Sequence, residues 1–352
     1  MFAKRKSKDM QLINIQNYFK EIMMEKVKEE IVTELPSKNV PPKRTKIKKY
    51  NWRTELPFLL MLLPAIILVV LIHYFPYFGL IGAFKGDYKT TIGQSGIEAL
   101  LGAPWVGFDH FKAIFTTPNV GKAIWNTIYI NLLSLLFEFP TPIILAILIS
   151  EVSFKPFKKT VQTLSYLPHF LSIAAVTGIV SSLIGQYGVI SNICSLLGIE
   201  YEPLASNSAA FIPVYIITNV WKTIGWNSIL YLAAIVGINK DLYEAASIDG
   251  ANRFQQITHI LLPGIMPMIM MMLIMRSGNL LASNFELVYG LEMSTEWKKF
   301  DVISTWVYRN GLETKSAQGL SMALGLVQGI LSFGLISGVN AISKKVADVS
   351  MW

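Results

Sequence analysis

"EAASIDGANRFQQITHILLP", residues Glu244–Pro263, is a compact polar stretch set between two apolar runs. It carries the acids Glu244 and Asp249, Arg253 and the adjacent Gln255 and Gln256, yet leads straight into a membrane-like segment. Asp241–Ile248 has the composition of a short helix, and Asp249-Gly250 ends it with turn chemistry. Ala251–Leu262 then restarts a helix, with Pro263 at the entrance to the next apolar run. The small Ala245 and Ala246 let another surface approach the backbone closely, and Glu244 offers a carboxylate to a basic or hydrogen-bonding partner. Such a helix-turn-helix is shaped to be held from outside, and a push on it would tilt both flanking segments.

The composition around this stretch belongs to a membrane protein. Of 352 residues, 52% are hydrophobic and 15% charged, against about 25% charged in an ordinary soluble domain. Mean hydropathy is +0.45. Fourteen of the 31 Lys and Arg residues fall between Met1 and Glu55. The net charge of +8 therefore marks a basic tail on a membrane body and not a nucleic-acid surface. Cys194 is the single cysteine, so no internal disulfide forms, and His73, His110, His169 and His259 lack metal-ligand spacing. Met1–Lys49 is too polar for a cleavable signal peptide, so the first apolar run is expected to be an uncleaved anchor.

A membrane helix needs about 20 mainly apolar residues. Six spans are expected: Leu56–Phe84; Ala123–Ile149, interrupted by Glu138, Pro140 and Pro142; Leu164–Leu183; Ala210–Ile238, with Lys222 in its middle; Leu261–Leu281; and Leu320–Ile342. The chain thus reads as an all-α polytopic bundle. A basic cytoplasmic tail covers 1–55, a first helix and external loop 56–122, a transmembrane core 123–343 with the polar loop at 239–263, and a cytoplasmic end 344–352.

Orientation follows from Lys and Arg in short loops. The N-terminal tail, the 150–162 loop with Lys155, Lys158 and Lys159, and the C-terminal Lys344 and Lys345 place both termini and the 239–260 loop on the cytoplasmic side. The loops at 85–122 and 283–318 face outside, although Lys298 and Lys299 there are mixed with acids. Met10–Leu35 suits an amphipathic helix on anionic lipid, with Ile15, Phe19, Ile22 and Val27 on one side. A solvated tail ending in "PSKNVPPKR" accounts for it equally well.

Glu244-Ala245-Ala246, three residues, Gly250, nine residues, then Ile260-x-Leu262-Pro263 resembles the cytoplasmic coupling loop of binding-protein-dependent ABC importer permeases. "APWVG" at Ala103–Gly107, "TLSYLPHFLS" at Thr163–Ser172, "WKTIGWNSILYLAAIVGI" at Trp221–Ile238, "TWVYRNGL" at Thr305–Leu312 and the terminal "VSMW" resemble the carbohydrate branch. Within it they look most like lipoprotein/rhamnogalacturonan-type oligosaccharide permeases. The resemblance runs from about Leu56 to the end and leaves the N-terminal extension without a role. It implies the type I importer architecture, with Glu244, Ala245, Ala246, Asp249, Gly250, Ile260, Leu262 and Pro263 as the loop held by the ATPase. It further implies two separate ATPase subunits, a second related permease, an external solute-binding protein and an oligosaccharide substrate. No G-x-x-x-x-G-K-[ST] loop occurs, and the only Gly-Lys pair is Gly121-Lys122. ATP and Mg are therefore expected on the partner subunits, with no cofactor or enzymatic activity in this chain.

Glu138, Lys222 and Arg276 fall inside expected spans, where charge is costly unless it faces protein or water. One reading places Lys222 and Arg276 in the translocation path with Trp221, Trp226 and Asn279, indoles stacking on sugar faces and polar groups bonding hydroxyls or a carboxylate. The favoured alternative is an ion pair, such as Glu138 with Lys222, that holds helices together. The run "MPMIMMML", Met266–Leu273, reads as adaptable packing and not as a metal face. "SNFE", Ser283–Glu286, suits either a helix cap or contact with the delivery protein. Two other classes compete with the importer: an ion-coupled secondary transporter with Glu138 as proton carrier, and a membrane scaffold or sensor. The absence of internal repeats and the externally held loop count against the transporter.

Overall fold

The structure, a computed structural model, describes residues 52–88, 95–294, 300–347 and 349–351. The amphipathic stretch at Met10–Leu35 lies outside the described residues, as does most of the basic tail. Contacts divide the chain into two units, Met1–Leu68 and Val69–Trp352.

In the first unit the described part is Trp52–Leu68 of helix α1 (Trp52–Val69), whose apolar side chains from Leu56 onward are exposed. The second unit opens with a π turn, Val70–Tyr74, and a 3-10 stretch, Phe75–Phe84. Three short elements follow on the way to the next long helix: α2 (Gly96–Gly102), α3 (Asp109–Thr116), and the isolated antiparallel bridge between Lys85 and Trp105. The body then comprises α4 (Val120–Glu138), α5 (Pro140–Glu151), α6 (Lys155–Tyr166), α7 (Ile173–Ile184), α8 (Val189–Leu196) and α9 (Phe211–Val236). Helices α10 (Lys240–Ile248), α11 (Arg253–Gln256), α12 (Leu262–Gly278), α13 (Phe285–Ser294), α14 (Ile303–Val307) and α15 (Gln318–Ala347) complete it.

Among the described residues, five helical runs are long and apolar enough to cross a membrane: Leu56–Phe84, Val120–Glu151, Ile173–Leu196, Arg253–Gly278 and Gln318–Lys345. The expected fourth span, α9, has 26 residues and a length of about 39 Å. It reaches far enough, but Asn219, Lys222, Thr223 and Asn227 dilute its apolar character. Phe211, Tyr215, Tyr231 and Leu232 of this helix are buried, while Ile217, Leu230 and Val236 are exposed.

Two boundaries differ from expectation for a local reason. The second span is two helices meeting at Phe139, because Pro140 and Pro142 supply no N–H to the carbonyls one turn back. The Thr141 hydroxyl donates to the Glu138 carbonyl at 3.4 Å and meets part of that loss. The third span begins at Ile173, not Leu164. Leu164–Tyr166 closes the amphipathic α6, and Pro168 forces a 3-10 turn, Leu167–Phe170, before Ser172 caps α7 by accepting from the Ala175 N–H at 3.2 Å.

Three apolar clusters hold the second unit together. Ile130, Val180, Phe211, Tyr215, Leu287 and Leu291 join α4, α7, α9 and α13. Ala83, Ile114, Ala123, Trp306 and Leu324 tie the 3-10 stretch, α3, α4 and α14 to α15. Ala146, Ile149, Tyr231 and Leu232 join α5 to α9, with Met268 and Met272 of α12 packed against them. Within the methionine run, Met268 and Met272 thus serve as packing groups, while Met266 and Met271 are exposed. In none of the five candidate spans is more than 28% of the most apolar window buried. So much uncovered apolar surface calls for lipid or another subunit.

Candidate functional site

The loop between α9 and α12 is built as a helix-turn-helix. Asn239 starts α10 by accepting from the Asp241 N–H at 3.1 Å. Its end is a Schellman motif: the Ala251 N–H reaches the Ala246 carbonyl at 2.9 Å and the Gly250 N–H the Ser247 carbonyl at 3.2 Å. Gly250 adopts φ +80°, a left-handed conformation that suits glycine. Asn252 and Gln255 form a reciprocal capping box at 2.9 and 2.8 Å, so the second helix begins at Arg253 and not at Ala251. A π turn, Ile257–Leu261, carries it into α12 and accommodates Pro263, which has no N–H to return to the preceding turn.

The two arms are tied together by Gln256, whose amide donates to the Ser247 hydroxyl at 3.0 Å and the Ala251 carbonyl at 3.3 Å. Glu244, Ala245, Asp249 and Gly250 are exposed, Ala246, Ile260 and Leu262 half-buried, and Pro263 exposed. Ala246, Asp249, Gly250 and Ile260 line a shallow pocket of about 330 Å³ together with Gln255 and His259. The sequence reading missed three side chains that stand out beside it: Ile248, 87% exposed, Phe254, 73% exposed, and Leu242. Their apolar character inside a polar stretch was the available signal.

The five residues assigned to a substrate path do not form one group. Arg276 of α12 meets Glu138 of α4 at 2.5 Å. Asn219 donates to the same carboxylate at 2.9 Å, and the Thr223 hydroxyl lies 3.4 Å from its other oxygen. Asn219 and Thr223, one turn apart on α9, thus face the ion pair, and their i, i+4 spacing was legible beforehand. The partner of Glu138 is therefore Arg276 and not Lys222. Lys222 instead donates to the backbone carbonyls of His169 at 3.1 Å and Leu171 at 2.7 Å. Trp226 stacks on His169 with ring centroids 4.4 Å apart and planes 2° apart. Trp221 lies on the opposite side of α9 from Asn219 and Thr223, because it is two residues, about 200° of helix rotation, from each. Asn279 is exposed just past the end of α12.

A second buried charge cluster lies between α13 and α14. Arg309 donates to Glu292 at 2.5 Å and to Asp301. Burial pushes the Glu292 carboxyl up to about 7 against the pull of Arg309. Asn284, from "SNFE", accepts from the Leu287 N–H at 3.2 Å and so caps the first turn of α13.

A family model described as "Binding-protein-dependent transport system inner membrane component" matches residues 139–347, which hold the whole helix-turn-helix. The chain belongs to this family. The permease is 36% identical over 316 residues to Protein LplB of Bacillus subtilis (strain 168), covering 88% of this chain and 97% of that one. It is also 36% identical over 294 residues to the polygalacturonan/rhamnogalacturonan transport system permease protein YteP of the same strain, covering 83% and 89%. Two solved structures are similar throughout the fold. A bacterial ABC transporter involved in the import of the acidic polysaccharide alginate matches with TM-score 0.75 and 38% identity, over 84% of this permease and 97% of that chain. The same kind of transporter in complex with an alginate pentasaccharide-bound periplasmic protein matches with TM-score 0.76 and 37% identity, over 85% and 98%. The all-α membrane architecture is that of a type I ABC importer permease.

Proposed function

We propose that this permease forms half of the membrane path of an ATP-driven importer for oligosaccharides. The observation that carries the reading is the helix-turn-helix of Lys240–Gln256, rigid within itself, exposed at Glu244, Ile248 and Phe254, and joined to membrane helices at both ends. Two ATPase subunits supply the hydrolysis; one grips this loop, and the other grips the matching loop of a second, related permease. ATP and Mg belong to those subunits, and this chain catalyses no reaction of its own. Closure of the ATPases on ATP draws the two loops together and opens the path outward; hydrolysis resets it.

The substrate class is a complex oligosaccharide, as the polygalacturonan/rhamnogalacturonan and alginate relatives suggest. A solute-binding protein delivers it from outside, in keeping with the periplasmic protein in the related complex. Both termini and the coupling loop then lie in the cytoplasm, as the basic flanks require. The test is uptake into right-side-out vesicles that carry the complete complex and enclose ATP, with sugars first chosen by their binding to the cognate delivery protein. Uptake that needs ATP and survives an uncoupler supports the proposal. Uptake that follows an ion gradient without ATP overturns it.

A further inference from the structure

The break between α6 and α7 is held by one stripe of α9. Lys222, Gly225 and Trp226 stand at i, i+3 and i+4 and so share a face. Lys222 caps two carbonyls of the 167–171 turn, at 3.1 and 2.7 Å, which the helix break leaves without backbone donors. Trp226 covers His169 face to face and meets Phe170 edge-on, with centroids 5.8 Å apart. Gly225 is where the backbones come closest: a Cβ there would lie 2.0 Å from the Ser165 carbonyl oxygen, with no side chain that could move aside. Polar, aromatic and steric contacts therefore all fix the same elbow to the same helix.

The other end of α9 leads to the coupling loop within three residues, Gly237 to Asn239. That link stays hydrogen-bonded: the Gly237 N–H reaches the Ala233 and Ala234 carbonyls and the Ile238 N–H reaches Ile235. We propose that Lys222, Gly225 and Trp226 are positioning residues that clamp the α6–α7 elbow to α9, so that α6, α9 and the coupling helix α10 move as one lever. A displacement of α10 by the ATPase then swings α6 with it, and α7 bends at the proline-containing turn. Lys222 and Trp226 accordingly serve transmission and not sugar contact. The inference rests on the proposed coupling function.

Spin labels test it in the complete complex, with Cys194→Ser as background and labels at Lys159→Cys on α6 and Lys240→Cys on α10, both exposed positions. The label-to-label distance is measured without nucleotide and with ATP trapped by vanadate. It is expected to hold within about 2 Å, the scale of a small helix shift. In Lys222→Met the distance should change on trapping, and Lys222→Arg, which keeps two donors, should restore the constant value. A wild-type distance that itself changes by clearly more than that overturns the lever, as does a Lys222→Met complex that behaves like wild type. The wild-type arm needs no Lys222 variant to fold. Mobility of the Lys240 label reports separately on the coupling function: if adding the ATPase does not restrict it, the coupling reading fails, whatever the distances show.

Discussion

Arg276 and Glu138 stand 138 positions apart in the chain and meet at 2.5 Å, with the carboxylate also bonded by Asn219. Three helices, α4, α9 and α12, are pinned at one buried point. Removing one partner of such a pair strands the other charge, whereas removing both does not. Arg276→Gln alone is expected to cost about 3 kcal/mol, in the range for breaking a buried pair. The Glu138→Gln, Arg276→Gln double variant should cost less than either single change. Thermal unfolding of the purified protein in detergent checks this, and additive losses would refute it. Sugar uptake by the Arg276→Gln complex should fall while ATPase assembly persists.

Gly250 carries the turn of the coupling loop at φ +80°, and a Cβ there would meet nothing within 4 Å. Strain alone therefore decides a substitution. Gly250→Val is expected to cost about 1–2 kcal/mol locally, and to misalign α10 against α11. Assembly with the ATPase, read by co-purification, should fall at least about tenfold, as roughly 1.4 kcal/mol implies. Gly250→Asn, a residue that tolerates this conformation, should lose much less. Equal losses for Asn and Val would show that the backbone angle does not matter.

Phe254 and Ile248 project from the coupling loop with most of their surface free. Truncating them cannot open a core cavity, so stability should barely change. If they are the anchors that the ATPase covers, Phe254→Ala should weaken its binding by more than about 2 kcal/mol, the hot-spot range. Titration of labelled ATPase against the detergent-solubilised permease measures it. Affinity unchanged in both variants would remove these side chains from the interface.

Glu292 should give the permease a pH-dependent stability. Its folded-state value, about 7, lies above its ordinary 4.5, so between those limits the folded chain holds a proton that the unfolded chain has released. Stability from this group is full below about 4.5, falls as pH rises towards about 7 and levels off above. Glu292→Gln keeps the neutral form and should flatten that part of the profile. Unfolding midpoints between pH 5 and 8 for both proteins decide it; parallel profiles would assign the slope elsewhere.

Much of this architecture is written in short-range pattern. Apolar runs of spanning length reveal membrane helices from any starting point, because lipid accepts only helices that satisfy their own backbone. The coupling loop is equally local: Asn239, Gly250, Asn252 and Gln255 specify caps and turn through contacts no more than three residues away. Pro140 and Pro142 announce their helix junction in the same way. Pro168 was as visible, but its effect on Leu164–Tyr166 was masked by a long stretch without formal charge.

Pairing across the bundle is another matter. Glu138 had two cations available within expected spans, Lys222 and Arg276, and nothing in their spacing distinguishes them. The choice depends on how α9 is rotated between α4, α6 and α12, and that rotation is set by close packing at Gly225 and by the burial of Phe211, Tyr215 and Tyr231. The sequence by itself determined most of the membrane-like helices and the helix-turn-helix of Lys240–Gln256, because each depends on residues within a turn or two. Only the tertiary structure decided that Arg276 neutralises Glu138 and that Lys222 fastens a break in another helix, because side-chain partners follow from helix rotation, which the whole bundle settles at once.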